Sequence, residues 1–347
     1  MGYEVDVACN FKEGNTCSDE EVRQLIRRLK KMKVRYFHVD FARDVTKLSQ
    51  NGKAFRQVKR LLKKNDYAFL HCHTPIGGVV GRIAGKLTGT KVIYTAHGFH
   101  FYKGAPLLNW ILYFPVEWLC AYWTDVLITI NTEDYRFAKK WMKAKTVKYI
   151  PGIGVDVCKF QGNSVDKAAK RIEIGVPEDA VMLFSVGELN ENKNHETVIR
   201  ALRGMNVYYV IAGRGNKEEE LKKLAQSLGM SDRVKLLGFR TDIGELDKAA
   251  DAFVFPSYRE GLSVSLMEAM ASGLPCAVSR IRGNTDLIDE EGGELFDPHD
   301  VSQVRAAVRT LLQRDLETMG AYNAHKVRNF STQKVLRRLE KIYAAVD

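Results

Sequence analysis

Short apolar runs alternate with amphipathic stretches along most of this chain, and the spacing of the two predicts its elements. Residues 3–8 alternate like a strand, and residues 20–32 place Val22, Leu25, Ile26 and Leu29 on one helical face. Strand signals recur at 34–39, 67–72, 91–95 and 125–130. A helix is predicted over 54–62, and another after the Thr74-Pro75 turn with Gly77, Gly78, Gly81 and Gly85 on a thin, close-packing face. Past residue 150 the pattern restarts. Strands are predicted at 181–187, 208–212, 234–237 and 252–255 and after Pro275, with helices from Glu196 and over 243–249, 263–270, 303–312 and 335–345. This order predicts an α/β fold of parallel sheets covered on both faces. Ligands of such sheets bind beyond the carboxyl ends of the strands. Between the two halves, Pro151-Gly152-Ile153-Gly154-Val155-Asp156 reads as a hinge in which glycines allow the turn and Asp156 holds it by local hydrogen bonds. Residues 163–171 read as a charged connector.

The longest apolar stretch, Leu107 to Trp123, contains Pro115 and Glu117. At about 17 residues it is marginal for crossing a bilayer. It reads as a buried helix pair, with a segment dipping into one leaflet as the alternative.

Composition changes this picture in one respect. The chain of 347 residues has room for two ordinary domains and a net charge of +11. Residues 1–150 hold 26 Lys and Arg against 13 Asp and Glu, whereas the remaining 197 hold 27 against 29. The whole excess lies in the first half, which suggests either an anionic partner there or solvated helix faces. The basic runs lack the interleaved aromatics of a nucleic-acid platform, so no nucleic acid is expected. Six scattered cysteines form neither a zinc pattern nor a disulfide framework, which fits a reducing compartment. The opening residues lack a signal-peptide pattern.

The candidate chemistry centres on residues 253–275, FVFPSYREGLSVSLMEAMASGLP. A strand, a glycine turn and a helix start in that order aim backbone N–H groups and a positive dipole end at an anion. Gly261 lacks a Cβ and allows close approach of a ligand. Glu260 at the mouth and Glu268 on the helix suit a ligand with hydroxyls on either side of a phosphate. Lys193, beside another helix start, is a natural diphosphate ligand. Two histidines with a glycine follow a predicted strand at Thr95-Ala96-His97-Gly98-Phe99-His100.

The pattern from Glu260 to Glu268, with Ala271 to Pro275 behind it, resembles the donor-site signature of retaining glycosyltransferases of family 4. The motifs His71-Cys72-His73-Thr74-Pro75 and Thr95 to Phe101 look closest to its capsular and exopolysaccharide members. The resemblance spans nearly the whole chain and implies the GT-B architecture. Residues 1–152 would form an acceptor-side Rossmann-like domain, 153–330 a nucleotide-sugar-binding one, and 331–347 a helix returning to the first. It implies transfer of a sugar from a nucleotide-sugar, UDP-linked, to a saccharide or polyprenyl-diphosphate-saccharide acceptor. His97, Glu260 and Lys193 would be catalytic. Lys193, Gly213, Arg214, Glu260, Gly261, Leu262, Ser263 and Glu268 would hold the donor. Glu268 is expected on the ribose hydroxyls and Glu260 on those of the sugar.

No Asp-x-Asp motif in strand context appears, so no metal or other cofactor is expected. Domain closure about 152–156 would exclude water. The expected place is cytoplasmic, peripheral on an anionic membrane surface through the basic first half. Three departures stand out. Glu188 occupies the place of an arginine that relatives use on the phosphates, with Arg214 or Arg259 as candidate substitutes. Asn284-Thr285-Asp286 lacks the Pro-Glu pair of the sugar-side loop. The family's opening strand, glycine loop and helix are not seen before Gly2-Tyr3-Glu4-Val5, which predicts a truncated or misannotated start, or a sheet without its inner strand. A UDP-sugar 2-epimerase and a non-catalytic partner subunit remain the alternatives.

Overall fold

The computed structural model describes residues 2–13, 18–162 and 164–346. These fall into two compact units, one of 1–130, 134–149 and 338–347, the other of 131–133 and 150–337.

The first unit runs β1 (Asp6–Cys9), α1 (Asp19–Lys31), β2 (Arg35–His38), α2 (Leu48–Lys64), β3 (Phe69–His73), α3 (Pro75–Thr88), β4 (Lys91–Ala96), α4 (Leu107–Ala121), β5 (Val126–Thr129), α5 (Thr132–Trp141) and β6 (Thr146–Tyr149). Strands β3, β4, β5 and β6 form a parallel sheet in that order, with His73 opposite Thr95. Strands β1 and β2 make a separate parallel pair. Among the described residues no ladder joins β1 to β3, so the sheet is split where an inner strand was expected. Tyr67 still reaches across and donates its hydroxyl to Asp6 at 2.6 Å.

Helix α1 starts with a complete capping box, in which Ser18 and Glu21 exchange bonds with each other's backbone. Helix α3 fits its sheet because Gly78, Gly81 and Gly85 lie on Tyr94, Cys72 and Val92. A Cβ on any of them would come within 2.5 Å of those side chains.

The expected buried helix pair at 107–123 is instead the single helix α4. Trp110 and Phe114 pack on Phe101 and Phe137, and Tyr113 lies against the His100 ring, while the opposite face stays in solvent.

The second unit continues with α6 (Val157–Gln161), α7 (Lys167–Glu173), β7 (Val181–Val186), α8 (His195–Ala201), β8 (Val207–Ala212), α9 (Glu218–Ser227), β9 (Val234–Leu236), α10 (Ile243–Ala249), β10 (Ala252–Phe255), α11 (Val264–Ala271), β11 (Cys276–Ser279), α12 (Asn284–Leu287), β12 (Gly293–Phe296), α13 (Val301–Leu312) and α14 (Leu316–Lys326). A 3₁₀ turn (Val327–Phe330) then leads into α15 (Thr332–Val346), whose residues from Arg338 belong to the first unit. The six strands pair in parallel in the order β12-β11-β10-β7-β8-β9. Every residue of β10 and β11 is buried, as their continuous apolar runs require.

The connector expected over 163–171 holds a helix. Asp166 caps α7, and Arg171 turns inward to donate to Ala249, Glu178 and Ala180 carbonyls and to Asp251. Asn163 itself lies outside the described residues. In the hinge segment Asp156 accepts from Lys159 N, as expected, and so caps α6. Gly154, at φ +79°, lies on the backbone of Thr332, where a Cβ would come within 2.7 Å.

Candidate active site

The strand order of the second unit reverses between β7 and β10. From β7 the chain proceeds outward through β8 and β9, then returns to β10 and moves out the other way. Two connections therefore diverge at the carboxyl ends of these neighbours, and a crevice opens at such a switch point. The loop after β7 carries Lys193, and the loop after β10 carries Glu260.

The two loops are joined by their backbones. Tyr258 N donates to the Asn192 carbonyl at 2.8 Å, and the Asn192 side-chain amide donates to the Arg259 carbonyl at 3.0 Å. Asn194, in the left-handed region at φ 51°, is buried and donates its amide to the Pro256 and Pro298 carbonyls. This frame sets the ammonium of Lys193 2.7 Å from Glu260 Oε1 and 4.8 Å from the centre of the Phe255 ring. Gly187 makes room for it, since a Cβ there would lie 3.1–3.3 Å from three carbons of the lysine stem. About four-fifths of both charged side chains is removed from solvent. An ammonium held at low exposure over an aromatic face is a strong, partly neutralised cation ready to meet an anion.

Helix α11 begins beside this pair. Ser263 caps it by accepting from Leu266 N at 3.3 Å, and its hydroxyl also meets that of Ser265. The turn before it is braced from behind. Arg282 donates to the Glu260 carbonyl at 3.2 Å, and Gly283, at φ +79°, lets the Gly261 carbonyl come within 2.3 Å of where a Cβ would stand. Leu262 and Ser263 are buried.

Glu268 does not join the Lys193–Glu260 pair. It faces Lys159 and lies near Asp247, and burial raises its pKa against the opposing pull of Lys159. Asp247 is fully enclosed. Ser272 donates to one of its oxygens at 3.2 Å while the other has no partner among the described residues, and burial, then the charge of Glu268, pushes its pKa well up.

The turn Gly213-Arg214-Gly215 has a use the sequence did not show. A Cβ on Gly213 would lie 1.8 Å from the Gly187 carbonyl oxygen, and one on Gly215 2.2 Å from that of Leu189. These glycines let the exits of β7 and β8 pack backbone to backbone. Arg214 and Arg259, the candidate second cations, are both exposed, and neither has an ion-pair partner among the described residues. Glu188 is exposed and accepts from the Asn190 amide.

In the first unit, His97 follows β4 and His73 ends the neighbouring β3. Their rings bond through His73 Nδ1 and His97 Nε2 at 3.0 Å. His71 stands behind, 4.3 Å from the His73 ring centre, with Tyr343 and Thr95 on its two nitrogens. Burial, then the neighbouring imidazole charge, drives His73 down to about 4 and His71 to about 3, and burial lowers His97. All three rings are therefore neutral near pH 7, and one N–H serves the shared bond. His73, Gly187, Asn192, Asn194, Arg282 and Gly283 were not singled out from sequence as site residues. Their partners are set by tertiary packing, and no spacing rule exposes them.

A parallel-sheet unit with a lysine–glutamate pair and a capped helix start at its switch point has the construction of a GT-B sugar transferase. The fold agrees with that of HepE from Anabaena, solved with UDP-glucose, at TM-score 0.80, 18% identity, and coverage of 98% of this chain and 99% of that one. The family described as "Glycosyl transferases group 1" matches residues 166–327, and "Glycosyl transferase 4-like" matches residues 1–131. EpsD of Bacillus subtilis (strain 168), a provisionally named glycosyltransferase, is 37% identical over 99% of this chain and 90% of its own length. The UDP-Gal:alpha-D-GlcNAc-diphosphoundecaprenol alpha-1,3-galactosyltransferase of Escherichia coli is 31% identical over 85% of this chain and 80% of its own. The chain belongs to the glycosyltransferases of family 4 and is an enzyme of the sugar-transferring class.

Proposed function

We propose that this enzyme transfers a sugar, with retention, from a UDP-sugar to a saccharide carried on a polyprenyl diphosphate, in exopolysaccharide or capsule synthesis at the inner face of the cell membrane. The observation that carries this reading is the Lys193–Glu260 pair, 2.7 Å apart at the β7/β10 switch point beside the start of α11. Support for the donor and acceptor comes from the names of two similar proteins, one solved with UDP-glucose and one acting on UDP-Gal and a diphosphoundecaprenol acceptor.

Transfer breaks the bond between the anomeric carbon and the diphosphate oxygen, so negative charge gathers on the leaving group. Lys193 and the N–H groups of Gly261, Leu262 and Ser263 meet that charge, the largest catalytic contribution expected of such a site. Lys193 supplies the positive charge locally, and no divalent metal is needed. Glu260 binds sugar hydroxyls, Glu268 the ribose, and Gly213 and Arg214 border the nucleotide. His97 faces the sugar and acceptor. The basic first half draws the enzyme to an anionic membrane surface.

The decisive measurement incubates the full chain with UDP-galactose, UDP-glucose or UDP-N-acetylglucosamine and an undecaprenyl-diphosphate saccharide, with EDTA present. An α-linked product from an α-linked donor supports the reading. An inverted linkage, strict dependence on metal, or C2 epimerisation of donor alone, seen by NMR, overturns it.

A further inference from the structure

Helix α4 carries an unusual surface. Every one of its exposed residues is apolar or aromatic: Leu107, Leu108, Ile111, Leu112, Val116 and Leu119 form a continuous stripe, bordered by Pro115 and Trp118. Leu107 is 73% exposed and Ile111 60%. The helical repeat places these positions along one side for the whole length of the helix. Trp118 meets Tyr122, also exposed, edge to face at 5.0 Å along one margin. The single carboxylate of the helix is turned the other way. Glu117 is buried, 2.8 Å from the guanidinium of Arg82, and accepts from the Tyr94 hydroxyl. A stripe so free of charge is costly to leave in water and is far larger than the scattered apolar residues of an ordinary surface.

We infer that α4 lies flat in the headgroup boundary of an anionic phospholipid leaflet and inserts this stripe among the acyl chains. Three observations select lipid over other occupants. First, no helix among the described residues is long and apolar enough to cross a membrane, and α4 shows one apolar face to solvent while its other face packs in the core, the form of an element that lies in an interface. Second, Trp and Tyr along an apolar margin suit the level of the headgroups. Third, the unit that carries the stripe is basic. Helix α3, which packs against α4, has exposed Lys86 in its last turn, and α2, which packs against α3, has Lys53, Arg56, Arg60, Lys63 and Lys64 exposed. Together with the +13 balance of residues 1–150, this complements an anionic leaflet and opposes a second copy of the same basic unit. The inference rests on the lipid-linked acceptor of the proposed function and adds the element that brings the enzyme to it.

The test floats the full chain with vesicles of three parts phosphatidylethanolamine to one part phosphatidylglycerol, and with pure phosphatidylcholine. Expected is binding to the anionic vesicles that about 0.5 M salt weakens but does not abolish, with tryptophan fluorescence quenched by brominated acyl chains in the parent and less so in Trp118→Phe. The double variant Leu108→Asn/Ile111→Asn should lose about tenfold or more in partitioning, with the unfolding midpoint unchanged because both residues are exposed. Absence of vesicle binding, binding fully reversed by salt, or a lipid-free dimer dissolved by the same double variant overturns the inference. Transfer to a water-soluble acceptor should be equal in variant and parent. If that transfer proceeds while vesicles are ignored, only the α4 inference falls. If vesicles bind through α4 and no sugar moves from any donor, the proposed function falls and the membrane assignment stands.

Discussion

Lys193 and Glu260 form an ion pair: the ammonium sits 2.7 Å from the carboxylate, and the loops that carry them are joined by two hydrogen bonds at Asn192. Under the proposed function, a diphosphate bound there would share a cation that the carboxylate already engages. Lys193→Ala should therefore lower kcat/KM by about 100- to 1,000-fold. The same change leaves Glu260 without its counter-ion, so Lys193→Ala/Glu260→Gln should be less damaging than the two single losses multiplied. Steady-state kinetics of the four proteins on one UDP-sugar check both statements, and additive losses would show that the pair does not act as a unit.

Two glycines at the same place should fail differently. Gly213→Ala puts a methyl 1.8 Å from the Gly187 carbonyl oxygen, where only backbone can yield, and should destabilise the protein by about 2 kcal/mol or more. Gly187→Ala presses on the flexible stem of Lys193 at 3.1–3.3 Å. It should cost little stability but reduce turnover by displacing the ammonium. Urea unfolding together with kcat separates the two cases. A Gly187→Ala enzyme of unaltered turnover would argue against a positioned lysine.

Asp247 should behave as a stored liability at alkaline pH. Burial, then the charge of Glu268, raises its pKa, so its protonated form is favoured in the folded chain. A raised carboxyl favours folding below the unfolded value and loses that contribution as pH rises through the folded one. Asp247→Asn keeps the shape and removes the titration. Its advantage over the parent should grow as pH rises above the ordinary carboxylate value of 3.8, and should be larger at pH 8 than at pH 5 by on the order of 1 kcal/mol. Denaturant midpoints at the two pH values decide the matter.

Acid should loosen the second unit through His195. The ring is buried, meets the Tyr209 hydroxyl at 2.9 Å through Nδ1, and is brought down to about 3 by burial and then by the charge of Lys193. Its neutral form is favoured in the folded state, so stability is fully present above the ordinary histidine range and declines as pH falls from about 6.5 toward 3. At pH 5 the loss from this group alone is about 2 kcal/mol. His195→Gln, which cannot titrate, should flatten the pH dependence of the urea midpoint between pH 6.5 and 5. An unchanged slope would remove His195 as its source.

Much of this architecture could be read from apolar runs, and the exceptions have physical causes. Strands β4, β7, β8 and β10 are continuous or nearly continuous apolar segments in buried sheets, and periodicity finds those. Strand β6, Thr-Val-Lys-Tyr, carries only half-buried or exposed residues at a sheet edge and gives no such signal. Helix α7 looked like a connector because its anchor is Arg171, whose guanidinium is satisfied by three carbonyls and Asp251 that no local pattern announces. For α4, hydrophobicity showed that the stretch is apolar but not which face the core would take. At the site, Lys193 and Glu260 stood out by residue type at a helix start and a glycine turn. Their direct bond did not, because 67 residues separate them in sequence. The bond of His73 to His97 was hidden for the same reason, since only the pairing of β3 with β4 brings the two rings together.

Asn194 has an effect that reaches engineering. One buried amide fastens the lysine-bearing loop to the carbonyls of Pro256 and Pro298, while its oxygen receives the Thr197 hydroxyl at 2.6 Å. A chimaera that imports the segment around residue 193 from a relative, yet retains the native stretch near 256 and 298, would pit a foreign curve against a fixed clasp. Swaps meant to alter sugar preference should therefore carry all three pieces across as one cassette.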